Sequence, residues 1–281
     1  MAWEREGERI DVVGARVWTR TVGPADDEIP VLVLHGFPTC SYDARRVAEA
    51  LPARRFVLFD FVGYGLSDKP VQHGYSLFEQ ADVACLVARH HGLCRAHVWA
   101  HDMGTSVATE LLARRVRGLL PFEMASLVLS NGSVVVELAQ LTPSQRLLRT
   151  SLGPIFARLS SEATFRAQLG RIVGRPLDEE ELSDAWQLLV REEGHLRLPS
   201  IIRYLEERTR FRTRWLGALA QADLRMLIAW GERDSVAVTA IADELARLAP
   251  HADRAWWPRL GHYPQLEDPQ EVAATLDAFW R

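Results

Sequence analysis

One stretch, His97-Val98-Trp99-Ala100-His101-Asp102-Met103-Gly104, restricts the possible folds more than any other part of the chain. It reads as a short buried strand that enters a tight turn and continues as a helix over Thr105–Arg114. Ala100 and Gly104 stand two positions either side of Asp102. Only small residues there let the backbone turn sharply enough to lift one side chain clear of a sheet. Serine is the usual occupant of such a nucleophile elbow. An aspartate changes the chemistry, because a carboxylate can displace a leaving group from an sp³ carbon and give an ester that water must then cleave. The plain alternative is an Asp that caps the following helix. Ser106 falls past the turn, inside the helix, so serine-type esterase chemistry is not expected.

Three more strand-to-loop transitions carry candidate groups. Val31-Leu32-Val33-Leu34 is a continuous apolar strand running into His35-Gly36-Phe37-Pro38. Met226-Leu227-Ile228-Ala229-Trp230 precedes Gly231-Glu232-Arg233-Asp234, and Arg254-Ala255-Trp256-Trp257 precedes Gly261-His262-Tyr263-Pro264. Nucleophile, acid and histidine thus follow one another in the order Asp102, Asp234, His262, each in a loop after a strand. Glu232 is close enough to compete with Asp234, and His262 could be a loop histidine without a task. The backbone N–H groups of Phe37 and Met103 are expected to converge on one oxygen of Asp102 as an oxyanion hole. His35 could be a base, but a histidine opening this turn suits bonding to loop backbone. His101 points away from the nucleophile if strand alternation holds.

The organisation is a strand–helix alternation, an all-helical insertion, then a return to the alternation. Further strands are expected near Ala15–Arg20, Phe56–Asp60 and Leu127–Ser130. Ser76-Leu77-Phe78-Glu79 reads as a capping box opening a helix to about His90. From about Ser133 to Ala222 helix signals replace strand signals. Thr142-Pro143-Ser144-Gln145 is a second capping box with Pro at the first helical position. Asp178 caps a helix carrying Leu182, Trp186, Leu189 and Val190 on one face, closed by Gly194. The expected division is a core over residues 1–132, a helical cap over 133–222 and a second core part over 223–281. The cap would cover the edge of the sheet where open α/β sheets bind ligands.

Four motifs, His35-Gly36-Phe37-Pro38, Gly63-Tyr64-Gly65-Leu66-Ser67-Asp68-Lys69-Pro70, His101-Asp102-Met103-Gly104 and Gly261-His262-Tyr263-Pro264, together resemble the epoxide hydrolase and haloalkane dehalogenase branch of the α/β-hydrolases. His35 to Ala44, Tyr75 to Ala81, Phe211 to Ala220 and His262 to Pro269 look closer still to the subgroup of mesoderm-specific transcript-like hydrolases. The resemblance spans nearly the whole chain. It implies an α/β-hydrolase fold, with a mostly parallel central sheet flanked by helices and an inserted helical cap. It also implies hydrolysis of an epoxide to a vicinal diol through an ester on Asp102, with water activated by His262 and Asp234. Epoxide hydrolases commonly use lid tyrosines to donate to the opening oxygen. Tyr204 is the only tyrosine of the insertion; on the stripe Ile201, Tyr204, Leu205 it is a donor or simply core. Dehalogenases instead aim N–H donors at the halide. Met103 and Phe37 offer no side-chain donor, while Trp186 and Trp215 could supply an indole. Asn131 sits where some relatives carry the triad acid, which Asn cannot be. His35, Asn131, Trp186 and Leu189 form the expected substrate-contacting set.

At 281 residues and 48 % hydrophobic content the chain suits one large α/β core with an insertion. No uncharged apolar run approaches the roughly 20 residues that cross a bilayer. The first residues are charged, and Cys40, Cys85 and Cys94 have no metal-type spacing, so a reduced cytoplasm is expected. A net charge of −4 gives no case for nucleic acid. The basic run Arg208 to Arg214 reads as a solvated helix end beside Glu206 and Glu207. The expected partners are a small hydrophobic molecule and water, with no membrane, no metal and no cofactor, in a monomer or homodimer. Alternatives are a dehalogenase with the same nucleophile, or a non-catalytic fold that binds a ligand or partner under the cap.

Overall fold

The computed structural model describes residues 2–12 and 14–281. Among them one sheet contains β1 (Glu8–Val12), β2 (Ala15–Val22), β3 (Val31–Leu34), β4 (Phe56–Phe59), β5 (Arg95–His101), β6 (Glu123–Ser130), β7 (Arg225–Gly231) and β8 (Asp253–Trp257). Their order across the sheet is β1-β2-β4-β3-β5-β6-β7-β8. β2 runs antiparallel to both β1 and β4, and the remaining neighbours are parallel. β3 and β4 are buried at every position. That is why they read as unbroken apolar runs: a parallel strand covered on both faces has no solvent side to alternate toward.

Strand order reverses between β3 and β5, since the chain steps from β3 outward to β4 and then returns to β3's other side. Ligands of open α/β sheets bind just beyond the carboxyl ends of the strands at such a point. Registers line up the ends there. Leu34 pairs with Ala100, Leu129 with Ala100, Ser130 with Ala229, and Gly231 with Trp257. Loops after β3, β5, β6, β7 and β8 therefore leave the sheet side by side.

Only helical elements occur between β6 and β7. Thr142 closes its capping box with Gln145, and Asp178 accepts from Glu180 and Glu181 at the start of the helix Glu179–Val190. Three local expectations differ from the structure. Gly194 does not end that helix; the chain leaves it at Val190 and turns through Glu192 and Glu193 at positive φ. Gly194 is glycine because a Cβ there would collide with the Leu189 carbonyl. At the helix Leu77–His90, Ser76 accepts from Phe78 but Glu79 pairs with His73, so no box closes. Glu207 takes the Leu77 N–H instead, at 2.8 Å. The third difference is β1, an edge strand with no counterpart in the sequence reading.

Candidate active site

Asp102 links β5 to the helix Met103–Val116 with φ 45° and ψ −112°. A residue with a Cβ strains at such angles, and strain of this kind persists only where the surroundings over-determine it. The surroundings are glycine. A Cβ at Gly104 would collide with the Leu34 carbonyl, and one at Gly36 would lie 2.9 Å from the Asp102 Cβ. The Asp102 N–H is held by the Ser130 carbonyl at 3.2 Å. Small residues thus bring the β3 loop against the turn, and the Phe37 N–H donates to Asp102 Oδ2 at 2.8 Å. Tyr263 fixes that loop from the other side, its hydroxyl donating to the Phe37 carbonyl at 3.0 Å. The second expected amide, that of Met103, makes no bond to this carboxylate among the described residues.

His262 and Asp234 complete the array. His262 Nδ1 lies 2.7 Å from Asp234 Oδ2, and His262 Nε2 lies 4.0 Å from Asp102 Oδ1. Burial would lower the pKa of His262, but the charge and hydrogen bond of Asp234, with Asp102 behind them, outweigh it and raise the value to about 9. Asp234 is further held by the N–H groups of Val236 at 2.7 Å and Ala237 at 2.9 Å, both on Oδ1. Glu232 is exposed.

The expected substrate-contacting set divides. Trp186 and Leu189 line a cavity of about 500 Å³ whose inner end is formed by Phe37, His262 and Tyr263. His35 does not. Its Nδ1 bonds the Gly36 carbonyl and its Nε2 accepts from the Phe61 N–H, both at 2.9 Å. With both nitrogens committed to backbone and its pKa lowered by burial, it shapes the loop. Asn131 is also absent from the cavity wall. It sits at φ 43° after β6, donates to Asp234 Oδ2 at 2.8 Å and accepts from the Gly231 N–H at 2.9 Å. In place of a substrate contact, it supports the acid from the strand next door.

His101 faces the His262 loop. Its Nε2 lies 2.7 Å from the His262 carbonyl and its Nδ1 3.2 Å from Gln265 Nε2. Burial and the neighbouring His262 charge lower its pKa to about 4, so it is a neutral prop. Tyr204 is buried beside Phe37, with ring centroids 5.9 Å apart, and does not border the cavity. Burial and the Asp102 charge push its hydroxyl pKa up. Asp102 is itself only 3 % exposed and lies outside the cavity wall. Its neighbours Phe37 and His262 do line the cavity, so the carboxylate lies just behind that end.

Trp215 cannot serve a halide: its indole donates to the buried Glu110 at 3.0 Å. The basic run is not uniformly solvated either. Arg214 holds the same Glu110, and Arg208 is 1 % exposed. Arg208 donates to Ser106 Oγ at 2.7 Å and to the Asp102 carbonyl at 3.3 Å, and its guanidinium lies 4.6 Å above the Tyr204 ring. Among the described residues no carboxylate forms an ion pair with it. Two further groups lie within the quoted motifs, but their roles carry no local signal. Tyr64 is buried, with its hydroxyl 2.9 Å from the Met103 sulfur, and Glu267 gathers the N–H groups of Gly174, Arg175, Gly261 and Tyr263. The latter clamps residues 174–175 onto the His262 loop.

A family model described as alpha/beta hydrolase fold matches residues 29–269. The chain is 43 % identical over 274 residues to the putative hydrolase LipZ of Mycobacterium tuberculosis, covering 96 % of this chain and 94 % of that one. It is 37 % identical over 283 residues to the human mesoderm-specific transcript homolog protein, covering 95 % and 84 %. Among solved structures, haloalkane dehalogenase DbeA from Bradyrhizobium elkani superposes with a TM-score of 0.78 at 25 % identity, covering 98 % of each chain.

Proposed function

The chain belongs to the alpha/beta hydrolase fold family, and we propose that within it the protein is an epoxide hydrolase that works through an ester on Asp102. One observation carries the reading: the elbow residue is a carboxylate whose two oxygens have different surroundings. Oδ2 accepts from the Phe37 N–H at 2.8 Å, while Oδ1 faces His262 Nε2 across 4.0 Å. That gap exceeds a hydrogen bond, so the base is not spent on the nucleophile.

In the first step Oδ1 attacks an epoxide carbon, the carbon–oxygen bond of the ring breaks, and a phenol donates its proton to the departing alkoxide. Tyr204 is the candidate donor. Tyr64 is a second, since a thioether is a weak acceptor and leaves its hydroxyl free to turn to a substrate oxygen. In the second step neutral His262 takes a proton from water, which attacks Asp102 Cγ. Oδ2 carries the developing negative charge in the Phe37 amide, with the Met103 N–H at the open start of its helix the expected second donor. Collapse breaks the bond from Cγ to the ester oxygen, which takes the proton back from His262. The remaining acid proton of Asp102 returns to the phenolate, so the diol leaves with carboxylate, imidazole and phenol restored. Asp234, held in turn by Asn131, orients His262 and balances its charge. The cap residues Leu148, Phe156, Phe165, Leu169 and Trp186 give the cavity apolar walls, which suits a hydrophobic or aryl epoxide.

A haloalkane is the second reading, favoured by the likeness to DbeA and by Trp186, whose indole borders the cavity and makes no hydrogen bond among the described residues. Intact-mass spectrometry of a His262→Ala variant separates the two. Without its base the enzyme should retain the ester. An adduct with the mass of a whole epoxide supports the first reading, and one short of its halogen supports the second. No adduct from a broad panel of both would count against an Asp102 nucleophile.

A further inference from the structure

The cap carries a face that the hydrolytic chemistry does not use. Leu152, Ile155 and Leu159 are 57 %, 58 % and 74 % exposed, and they lie on one stripe along the helix Gly153–Arg158 and its flanks. The opposite side of the same strip is spent on the protein: Gly153 and Ala157 are buried, while Leu147, Leu148, Phe156 and Ser160 line the cavity. Arg146, Arg149 and Arg158, within seven residues of the ridge in sequence, are exposed, and none of them pairs with a carboxylate among the described residues. From Leu141 to Ser161 the sequence has no Asp or Glu at all. In a chain of net charge −4 this is a basic, apolar exception. Elsewhere on the cap Arg166 pairs with Glu162 and Glu179, and Arg175 with Asp268.

We propose that this face docks the protein on an anionic lipid surface, with Leu152, Ile155 and Leu159 in the headgroup–acyl boundary and the three arginines on lipid phosphates. An amphipathic face of this composition binds through apolar burial together with attraction to anionic lipid. Charge decides between occupants. A second copy packed symmetrically on the ridge would bring two sets of unpaired arginines together with no acid in the strip to neutralise them. A bilayer carrying anionic headgroups supplies both missing partners at once. The sequence expectation of no membrane contact rested on the lack of a spanning segment, and no helix among the described residues is long and apolar enough to cross a membrane. Peripheral docking requires only the exposed face. Its position on the outside of the cavity wall would draw lipophilic substrates from the bilayer toward the cap.

Vesicle co-sedimentation of the full chain tests this. The probes are phosphatidylcholine vesicles and vesicles of equal parts phosphatidylcholine and phosphatidylglycerol. The protein should sediment with the anionic vesicles and stay in solution with the neutral ones, and added salt should release it. Arg146→Gln, Arg149→Gln and Arg158→Gln should each weaken binding about fivefold. The triple variant Leu152→Ser, Ile155→Ser, Leu159→Ser should abolish it at an unchanged unfolding temperature. If that triple variant fails to fold, the arginine variants alone decide. Three results would overturn the proposal: no binding to anionic vesicles, equal binding to neutral ones, or binding that the substitutions leave intact. A fourth would be a dimer of the wild-type protein, seen by sedimentation velocity, that the serine variant dissociates.

Discussion

Asn131 donates to the same oxygen of Asp234, Oδ2, that receives His262 Nδ1, at 2.8 Å and 2.7 Å respectively. The side chain after β6 therefore helps aim the acid after β7, and the amide's other end ties down the Gly231 N–H. Asn131→Leu should cost about 1–3 kcal/mol of stability, because it leaves the buried Gly231 N–H without a partner and takes one of two donors from Asp234 Oδ2. Chemical denaturation reads that loss. Single-turnover ester hydrolysis should slow as well, since the imidazole loses part of its alignment. A variant as stable and as fast as wild type would remove Asn131 from the positioning network.

Arg208 makes a different kind of demand. It is buried with its charge unpaired by any carboxylate salt bridge, bonded to Ser106 and to the Asp102 carbonyl. A buried cation needs a nearby anion or a strong set of acceptors. Arg208→Met should remove both bonds, lowering stability by about 1–3 kcal/mol. It should also slow ester formation, because the charge facing Asp102 and a tie on its strained turn are lost. Arg208→Lys should rescue only part of the rate, since an ammonium cannot span two acceptors as a planar fork does. Full rescue by Lys would mean that charge alone matters.

Arg208 also shows where sequence reading stops. Its burial depends on Asp102 and Ser106, about a hundred residues earlier in the chain, and nothing local separates it from the exposed Arg210. Asn131, and the exclusion of His35 from the cavity wall, escaped for a similar reason, although the bonding of His35 to loop backbone was legible from its place at the turn. Their roles are set by which backbone groups stand opposite them across the sheet edge, and a loop motif does not contain that information. The elbow, by contrast, was legible because its small flanking residues answer a steric need inside a few positions. β3 and β4 were legible because complete burial makes them uniformly apolar, and β7 because every position after Arg225 is buried. β1 was not, as an edge strand in which only Val12 is buried shows too little alternation to register.

His262 should titrate at about 9 in the resting protein. The folded value stands above the ordinary 6.5. Its contribution to stability is therefore complete below about 6.5 and is lost as pH rises through about 9. Asp102→Asn removes one of the charges holding the proton, so the His262 resonance in an NMR titration should move to lower pH, and Asp234→Asn should move it further. An unchanged titration in Asp102→Asn would mean that the two side chains do not sense each other.

In the proposed Asp102 mechanism, the same coupling sets the order of the chemistry. While Asp102 is a carboxylate it helps keep His262 protonated, and a protonated imidazole cannot take a proton from water. Once Asp102 is esterified its charge is gone, the pKa of His262 falls, and the base is released at the stage that needs it. Single-turnover ester hydrolysis should therefore rise with pH through a midpoint below the resting value of about 9. Ester formation should not follow that curve. Coincident pH profiles for the two steps would refute the switching role.

The phenols decide between the two leaving groups. An epoxide oxygen departs as an alkoxide and needs a proton, whereas a halide leaves as a stable anion. Tyr204→Phe should lower the rate of ester formation from an epoxide by about 10²–10⁴-fold, the range of a positioned acid. Tyr64→Phe should have a smaller effect alone and deepen the loss in the double variant. Ester hydrolysis, which needs no acid at that oxygen, should survive in all three. With a haloalkane, the same variants should alkylate Asp102 at nearly the wild-type rate, while Trp186→Phe should be slow. Loss of alkylation by haloalkanes only, in Trp186→Phe only, would assign the protein to halide displacement and leave Tyr204 as packing against Phe37.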